Sequence, residues 1–145
     1  MPFEKNTSMG FVTNRLARLF AQHLHARIAP LGLAPAQFMT LLELWEGDGL
    51  TQATLTERLD VEQATMANTL ARMARDGLIE RTPHPEDRRA QLVWLTDKSR
   101  ALERPAKEAA EAVNATALAG LKPVDAAEAL RHMTAMIESL RPRSR

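Results

Sequence analysis

The side chains with most to offer chemically are Asp87, Arg88 and Arg89. They sit in a charged cluster, Glu86-Asp87-Arg88-Arg89, that follows Pro83 and Pro85 and precedes the run Leu92-Val93-Trp94-Leu95. Two prolines and four consecutive charges cannot be core. The apolar pair Leu78-Ile79 and the run 92–95 read as strands, so Glu80–Thr96 forms a hairpin with the cluster at its tip. The chemistry on offer is recognition rather than bond making. A guanidinium donates two parallel hydrogen bonds to a phosphate or a guanine edge, and a nearby carboxylate orients a guanidinium through a charge-assisted hydrogen bond.

A second group, Gln63, Thr65, Asn68, Arg72 and Arg75, lies just upstream on one face of a helix. Gln and Asn pair with adenine and the Thr methyl touches thymine, so Gln63, Thr65 and Asn68 are the candidate base readers. Arg72 and Arg75 lie further along, better placed for phosphates. Thr51 and Gln52 open the preceding helix and are secondary phosphate candidates through backbone N–H groups. The bland alternative for both groups is a solvated polar surface, whose ion pairs contribute about 0–1 kcal/mol. A hairpin that projects arginines beside a helix–turn–helix is a wing, however, and its target is a DNA groove.

Catalytic and metal chemistry find little support. The chain has no Cys and no Tyr, no Gly-rich phosphate loop and no supported Ser/His/Asp arrangement, so no enzymatic activity is expected. Without Cys, disulfides, thiolate metal sites and cysteine-based redox sensing are excluded. His23 and His25 are two apart on a helix and point about 200° apart, so no metal site and no cofactor are expected. His84 and His132 read as surface or pH-sensitive histidines. Met39, Met133 and Met136 read as core filling in preference to an adaptable ligand pocket, and Trp45 and Trp94 as packing anchors.

The elements that must position these groups follow from periodicity and punctuation. Phe11, Leu16, Leu19, Phe20, Leu24 and Ile28 mark an amphipathic helix over about 9–30. A second spans about 35–46 and stops at Gly47-Asp48-Gly49. Thr51 caps a short third helix, about 52–59. After a turn at Asp60-Val61, a fourth helix, about 62–76, places Met66, Leu70 and Met73 on one face and ends at Gly77. Beyond the hairpin Thr96 caps a long helix, about 97–119, whose Pro105 predicts a kink or break near Ala101. A last helix opens at Pro123 and runs to about 140. The tail Arg-Pro-Arg-Ser-Arg is expected to fray.

At 145 residues the chain fits one domain. Its 19 Lys+Arg against 18 Asp+Glu give a net charge of +1, so any basic face must be local. The Arg-rich balance equally fits a GC-rich genome. No apolar run reaches the ~18–20 residues of a membrane span, and the start lacks a signal-peptide core, which together predict a cytoplasmic protein. The first and last helices are apolar along one side with too small a core to cover them. They are expected to form a two-fold homodimer interface.

In order and in residues the chain resembles the MarR family of winged-helix transcription regulators over about 9–140. Gly32–Leu44 resembles the family's second helix, Leu50–Arg81 its helix–turn–helix, and Asp87–Thr96, in DRRAQLVWLT, its Asp-x-Arg wing signature followed by an aliphatic strand and Leu-Thr. Ser99 stands where the family commonly has Gly, Lys122 replaces a Ser-like cap, and Pro105 interrupts the long helix.

The resemblance implies a mainly α fold with a small β-hairpin wing. A winged helix–turn–helix lobe, about 33–96, would be flanked by dimerisation helices, about 9–31 and 97–141, in a single domain, 1–145. It further implies a homodimeric repressor on a pseudo-palindromic operator of double-stranded DNA, with Arg89 in the minor groove, Asp87 supporting it and Arg88 on a phosphate. Release by a small aromatic or anionic effector is part of that picture, with Phe20, His23 and Trp45 near its crevice. The competing reading is a winged-helix dimer that serves as a protein-interaction module without specific DNA binding.

Overall fold

Most helix boundaries are set by local hydrogen bonding that the sequence supplies. In the computed structural model, which describes residues 2–142, the order is α1 (Met9–Ile28), α2 (Pro35–Glu46), β1 (Leu50–Thr51), α3 (Gln52–Leu59), α4 (Gln63–Arg75), β2 (Ile79–Pro83), β3 (Gln91–Leu95), α5 (Asp97–Leu118) and α6 (Pro123–Leu140). The Ser8 hydroxyl accepts the Phe11 N–H to start α1, and the Thr51 hydroxyl accepts the Thr54 N–H to start α3. Each satisfies an N-terminal donor that has no partner inside the helix. At α2, Pro35 occupies the first turn and Gln37 reaches back to accept the Ala34 N–H at 3.0 Å. Gly77, at φ +74°, ends the turn after α4 in the left-handed region open to glycine.

The hairpin is part of a larger sheet than its sequence indicates. Leu50–Thr51 forms a third strand, giving an antiparallel sheet of order β1-β3-β2. The register pairs Leu50 with Val93 on one side of β3, and Ile79 with Leu95 through Pro83 with Gln91 on the other. A two-residue strand is too short to show a period of two, so its pairing is invisible in sequence. On β3, Val93 and Leu95 are buried while Trp94 is exposed, the alternation of a half-buried strand.

The core lies where the helices meet this sheet. Ile28 of α1, Phe38, Leu41 and Leu44 of α2, Leu55 of α3, and Met66, Leu70 and Met73 of α4 pack in one cluster with Ile79, Val93 and Leu95. The first compact unit of the chain therefore runs through α1 and the first half of α5 to Ala110, and a second begins at Glu111. Met39 and Met133, expected in the core, are instead 46% and 40% exposed. Spacing alone does not say which side of an amphipathic helix finds a partner.

Pro105 does not break α5, which runs unbroken from Asp97 to Leu118. The proline removes the donor that would have paired with the Ala101 carbonyl, but Ala101 is exposed, so water can take that carbonyl. Ahead of it the helix start is doubly fixed. The Thr96 N–H donates to Ser99 Oγ at 3.0 Å and the Ser99 N–H to Thr96 Oγ1 at 3.2 Å, a reciprocal capping pair. Ser99 is fully buried there, so the departure from the glycine expected by resemblance has a structural use. The tail residues 143–145, expected to fray, lie outside the described residues.

Trp94 closes the sheet over the turn before β1. Its Nε1–H donates to Thr82 Oγ1 at 2.8 Å, and a Cβ at Gly49 would lie 2.7 Å from its ring. Gly49 also has φ +76°. Gly49→Ala should therefore cost about 1–3 kcal/mol through combined backbone strain and overpacking. A urea titration reads this as a lower midpoint at unchanged slope, and an unchanged midpoint would show that the ring moves aside freely.

Candidate nucleic-acid interface

The core stripe of α4 forces the rest of that helix outward. With Met66, Leu70 and Met73 buried, Thr65, Asn68, Arg72 and Arg75 are exposed on the face away from the core, while Gln63 lies on the side of Met66 and Leu70 and is exposed in the first turn, beside α3. Thr69 is buried beside that stripe, and its hydroxyl is satisfied by donating to the Thr65 carbonyl at 2.9 Å. Gln63 is not independent of its neighbours. Gln52 at the start of α3 donates from Nε2 to Gln63 Oε1 at 3.2 Å, which braces the first turn of α4 against α3. Gln52 thus positions a candidate reader, and the Thr51 hydroxyl is committed to capping α3.

At the other end of α4, Arg75 is tied down. Its Nε donates to Asp76 Oδ1 at 3.0 Å while the side chain stays 69% exposed, so this candidate phosphate contact stands paired with a carboxylate. Asp76 is a hub, because its other oxygen accepts Gln37 Nε2–H at 3.0 Å and its carbonyl accepts Lys98 Nζ–H at 2.7 Å. These bonds fasten the C-terminal end of α4 to α2 and to the start of α5. Arg72 keeps no such partner among the described residues.

The hairpin tip is a structured turn. The residue joining β2 to the tip, His84, accepts two backbone N–H bonds at Nδ1, from Glu86 at 3.0 Å and Asp87 at 3.1 Å. The Ala90 N–H donates to the Asp87 carbonyl and the His84 N–H to the Ala90 carbonyl, closing the loop. Asp87 was expected to hold a wing guanidinium. Its Oδ1 instead accepts the backbone N–H of Arg89 at 3.0 Å. A short carboxylate reaches the main chain two residues on more readily than a long flexible head group. Arg88 and Arg89 are left exposed with no ion pair among the described residues.

Between α3, the first turn of α4 and the hairpin lies a cavity of about 620 Å³. The expected residues Thr51, Gln52, Gln63, Asp87, Arg88 and Arg89 all line it. Thr65, Asn68, Arg72 and Arg75 do not; they stand on the open face of α4 beyond it. Arg81 and His84 also line the cavity and were not among the expected site residues. Arg81 carried a signal that could have found it, since it lies two residues after Ile79 on the same side of β2, opposite Val93 of the same lining. His84 carried none, because nothing in a sequence shows an imidazole folding back on its own loop.

Hydrogen bonding holds the Asp76 carboxyl below its ordinary value of 3.8, first through Arg75 and then through Gln37. A lowered folded value means these bonds contribute stability above about pH 4, a contribution lost as the pH falls through the folded value. Asp76→Asn should therefore lower stability at neutral pH and flatten the acid side of the stability profile. Urea midpoints at pH 7, 4 and 3 check this, and an equally steep acid side in the variant would remove Asp76 from the effect.

Comparison with known proteins matches this architecture. Residues 33–90 match the MarR family model, described as "MarR family". A transcriptional regulator, TtmR, of Methylorubrum extorquens is 28% identical over 102 residues, covering 70% of this chain and 52% of that protein. The organic hydroperoxide resistance transcriptional regulator of Bacillus subtilis is 36% identical over 76 residues, covering 52% of each. The chain thus spans about half the length of these curated relatives. Among solved structures, a probable transcriptional regulator from Pseudomonas aeruginosa superposes with a TM-score of 0.81 at 29% identity, covering 92% of this chain and 99% of that one. No helix among the described residues is long and apolar enough to cross a membrane. The match to the MarR family model thus lies over α2, the helix–turn–helix and the hairpin as far as Ala90, and the fold is shared with the Pseudomonas aeruginosa regulator along nearly the whole chain.

Proposed function

We propose that this chain is a sequence-specific DNA-binding transcription regulator that works as a two-fold homodimer, most simply as a repressor. The observation that carries this reading is the cavity between α4 and the hairpin. Arg81, Arg88 and Arg89 line it beside uncharged Gln52 and Gln63, and its one acidic neighbour, Asp87, has an oxygen engaged by the Arg89 N–H. A local basic concavity on a nearly neutral chain suits a polyanion. The exposed Gln63, Thr65 and Asn68 beside it suit a major groove. In this reading Arg72 and Arg88 meet phosphates, Arg89 enters the flanking minor groove, and the two recognition helices lie about 34–36 Å apart.

The exposed helix faces support the dimer. Met9, Val12, Leu16 and Leu19 of α1 are exposed, and α6 has no buried residue at all, with Val124, Leu130, Ile137 and Leu140 each more than half exposed. Apolar stripes of this kind are normally covered by a second subunit. The reading includes release by a small aromatic or anionic ligand. Trp45 is not a free wall for one, because its Nε1–H donates to the Ser99 carbonyl at 3.1 Å and its ring meets Phe38 edge-on at 6.0 Å.

Gel shift against the gene's own upstream DNA at low salt tests the reading. No binding would overturn it in favour of a protein-interaction module. Given binding, Arg89→Ala should weaken affinity and flatten the salt dependence by about one unit, and an unchanged slope would take Arg89 off the DNA. Light scattering should show a dimer of the 16.1 kDa chain. Ile137→Glu should shift it to monomer at micromolar concentration, and a variant still fully dimeric would place the interface elsewhere.

A further inference from the structure

The hairpin tip depends on one titratable side chain that the recognition chemistry does not use. Backbone N–H groups can only donate, so the two bonds from Glu86 and Asp87 require His84 Nδ1 to carry a lone pair. The imidazole is then neutral with its proton on Nε2. These two bonds turn the chain so that Asp87 Oδ1 meets the Arg89 N–H and the arginines face the cavity. Protonating Nδ1 makes it a donor facing two donors, and the turn loses both bonds together.

We propose that neutral His84 is the positioning residue of the wing tip, and that its protonation releases the tip and with it the wing's share of DNA affinity. Of the side chain types in the tip, imidazole is the one whose charge ordinarily changes between about pH 5 and 8. The charged residues around His84 are Arg81 on β2 and Asp87, Arg88 and Arg89 of the loop, which line the same cavity, together with Glu86, whose N–H His84 accepts. The lining residues from α3 and α4 there, Gln52, Ala53, Gln63 and Leu70, carry no charge. The sign separates this device from simple electrostatics. An added positive charge beside a polyanion should tighten binding as the pH falls, whereas release of the tip weakens it.

The inference rests on the DNA-binding reading for its consequence but not for its mechanism, and the test has an arm for each. In the free full-length protein, the ¹⁵N–¹H resonances of Glu86, Asp87 and Arg89 should titrate together with the His84 ring between pH 8 and 5.5. In His84→Asn, whose Oδ1 accepts but does not titrate, they should stand still. Resonances that stay fixed in the native protein, or that titrate equally in the variant, overturn the device whether or not DNA binds. In the second arm, fluorescence anisotropy with the upstream DNA should show the native protein losing about tenfold in affinity from pH 8 to 5.5, the scale of one to two net hydrogen bonds. His84→Asn should hold its pH 8 affinity throughout, and His84→Ala should bind weakly with a flat profile. Tighter native binding at low pH, or the same loss in His84→Asn, overturns the proposal. Absence of binding by every protein at pH 8 overturns the DNA reading and leaves the resonance arm to decide the turn.

Discussion

Everything this protein offers to a ligand is referred to one strand. β3 carries main-chain pairing on both edges, to β1 and to β2, and it inserts Val93 and Leu95 among the buried side chains of α2, α3 and α4. Because side chains alternate along a strand, that burial leaves Trp94 on the outside and settles which way β2 and the tip project. A slip of one residue would turn Val93 and Leu95 to solvent. The core therefore enforces the register, and the register places Arg81 and Arg89 across a cavity from the start of α4. Asp48 adds a second lock on the same strand, accepting the Leu95 N–H at 3.0 Å and pairing with Arg100 at 2.9 Å.

The recognition helix is held at both ends by polar contacts and along its length by apolar ones. Gln52 braces Gln63 at one end, and Asp76 gathers Gln37, Arg75 and Lys98 at the other. Between them Met66, Leu70 and Met73 bury one side. Such a helix has little freedom to rotate, which suits the proposed meeting of its outer face with base edges. One of its candidate contacts, Arg75, takes part in this fastening through its pair with Asp76 and still stands exposed on the outer face.

The wing tip is built differently, from short-range hydrogen bonds among exposed residues. His84, Asp87 and Ala90 close it with their own backbone and side-chain groups rather than by burial. Exposed bonds of this kind contribute modestly and respond to solvent conditions. The rigid lobe and the condition-sensitive tip therefore sit side by side, joined through the pairs of β2 with β3.

Much of this was legible in the sequence, and the reasons divide cleanly. Helix extents, the caps at Thr51 and Thr96, the end at Gly77 and the hairpin depend on neighbours within a few residues, so periodicity and residue type reveal them. The exposed face of α4 was legible too, because burying Met66, Leu70 and Met73 leaves Thr65, Asn68 and Arg72 no other side, whereas Gln63 is on the same side as Met66 and Leu70 and is exposed in the first turn. What the sequence could not carry were contacts between residues far apart or bonds that depend on exact geometry. The strand Leu50–Thr51 exists only because β3 arrives beside it, more than 40 positions later. The continuity of α5 through Pro105 depended on Ala101 facing solvent. The use of Arg75 depended on Asp76, and that of Asp87 and His84 on the path of the backbone around them. Composition and spacing determine which groups a chain can present, while only the packed structure decides which of them remain free to be used.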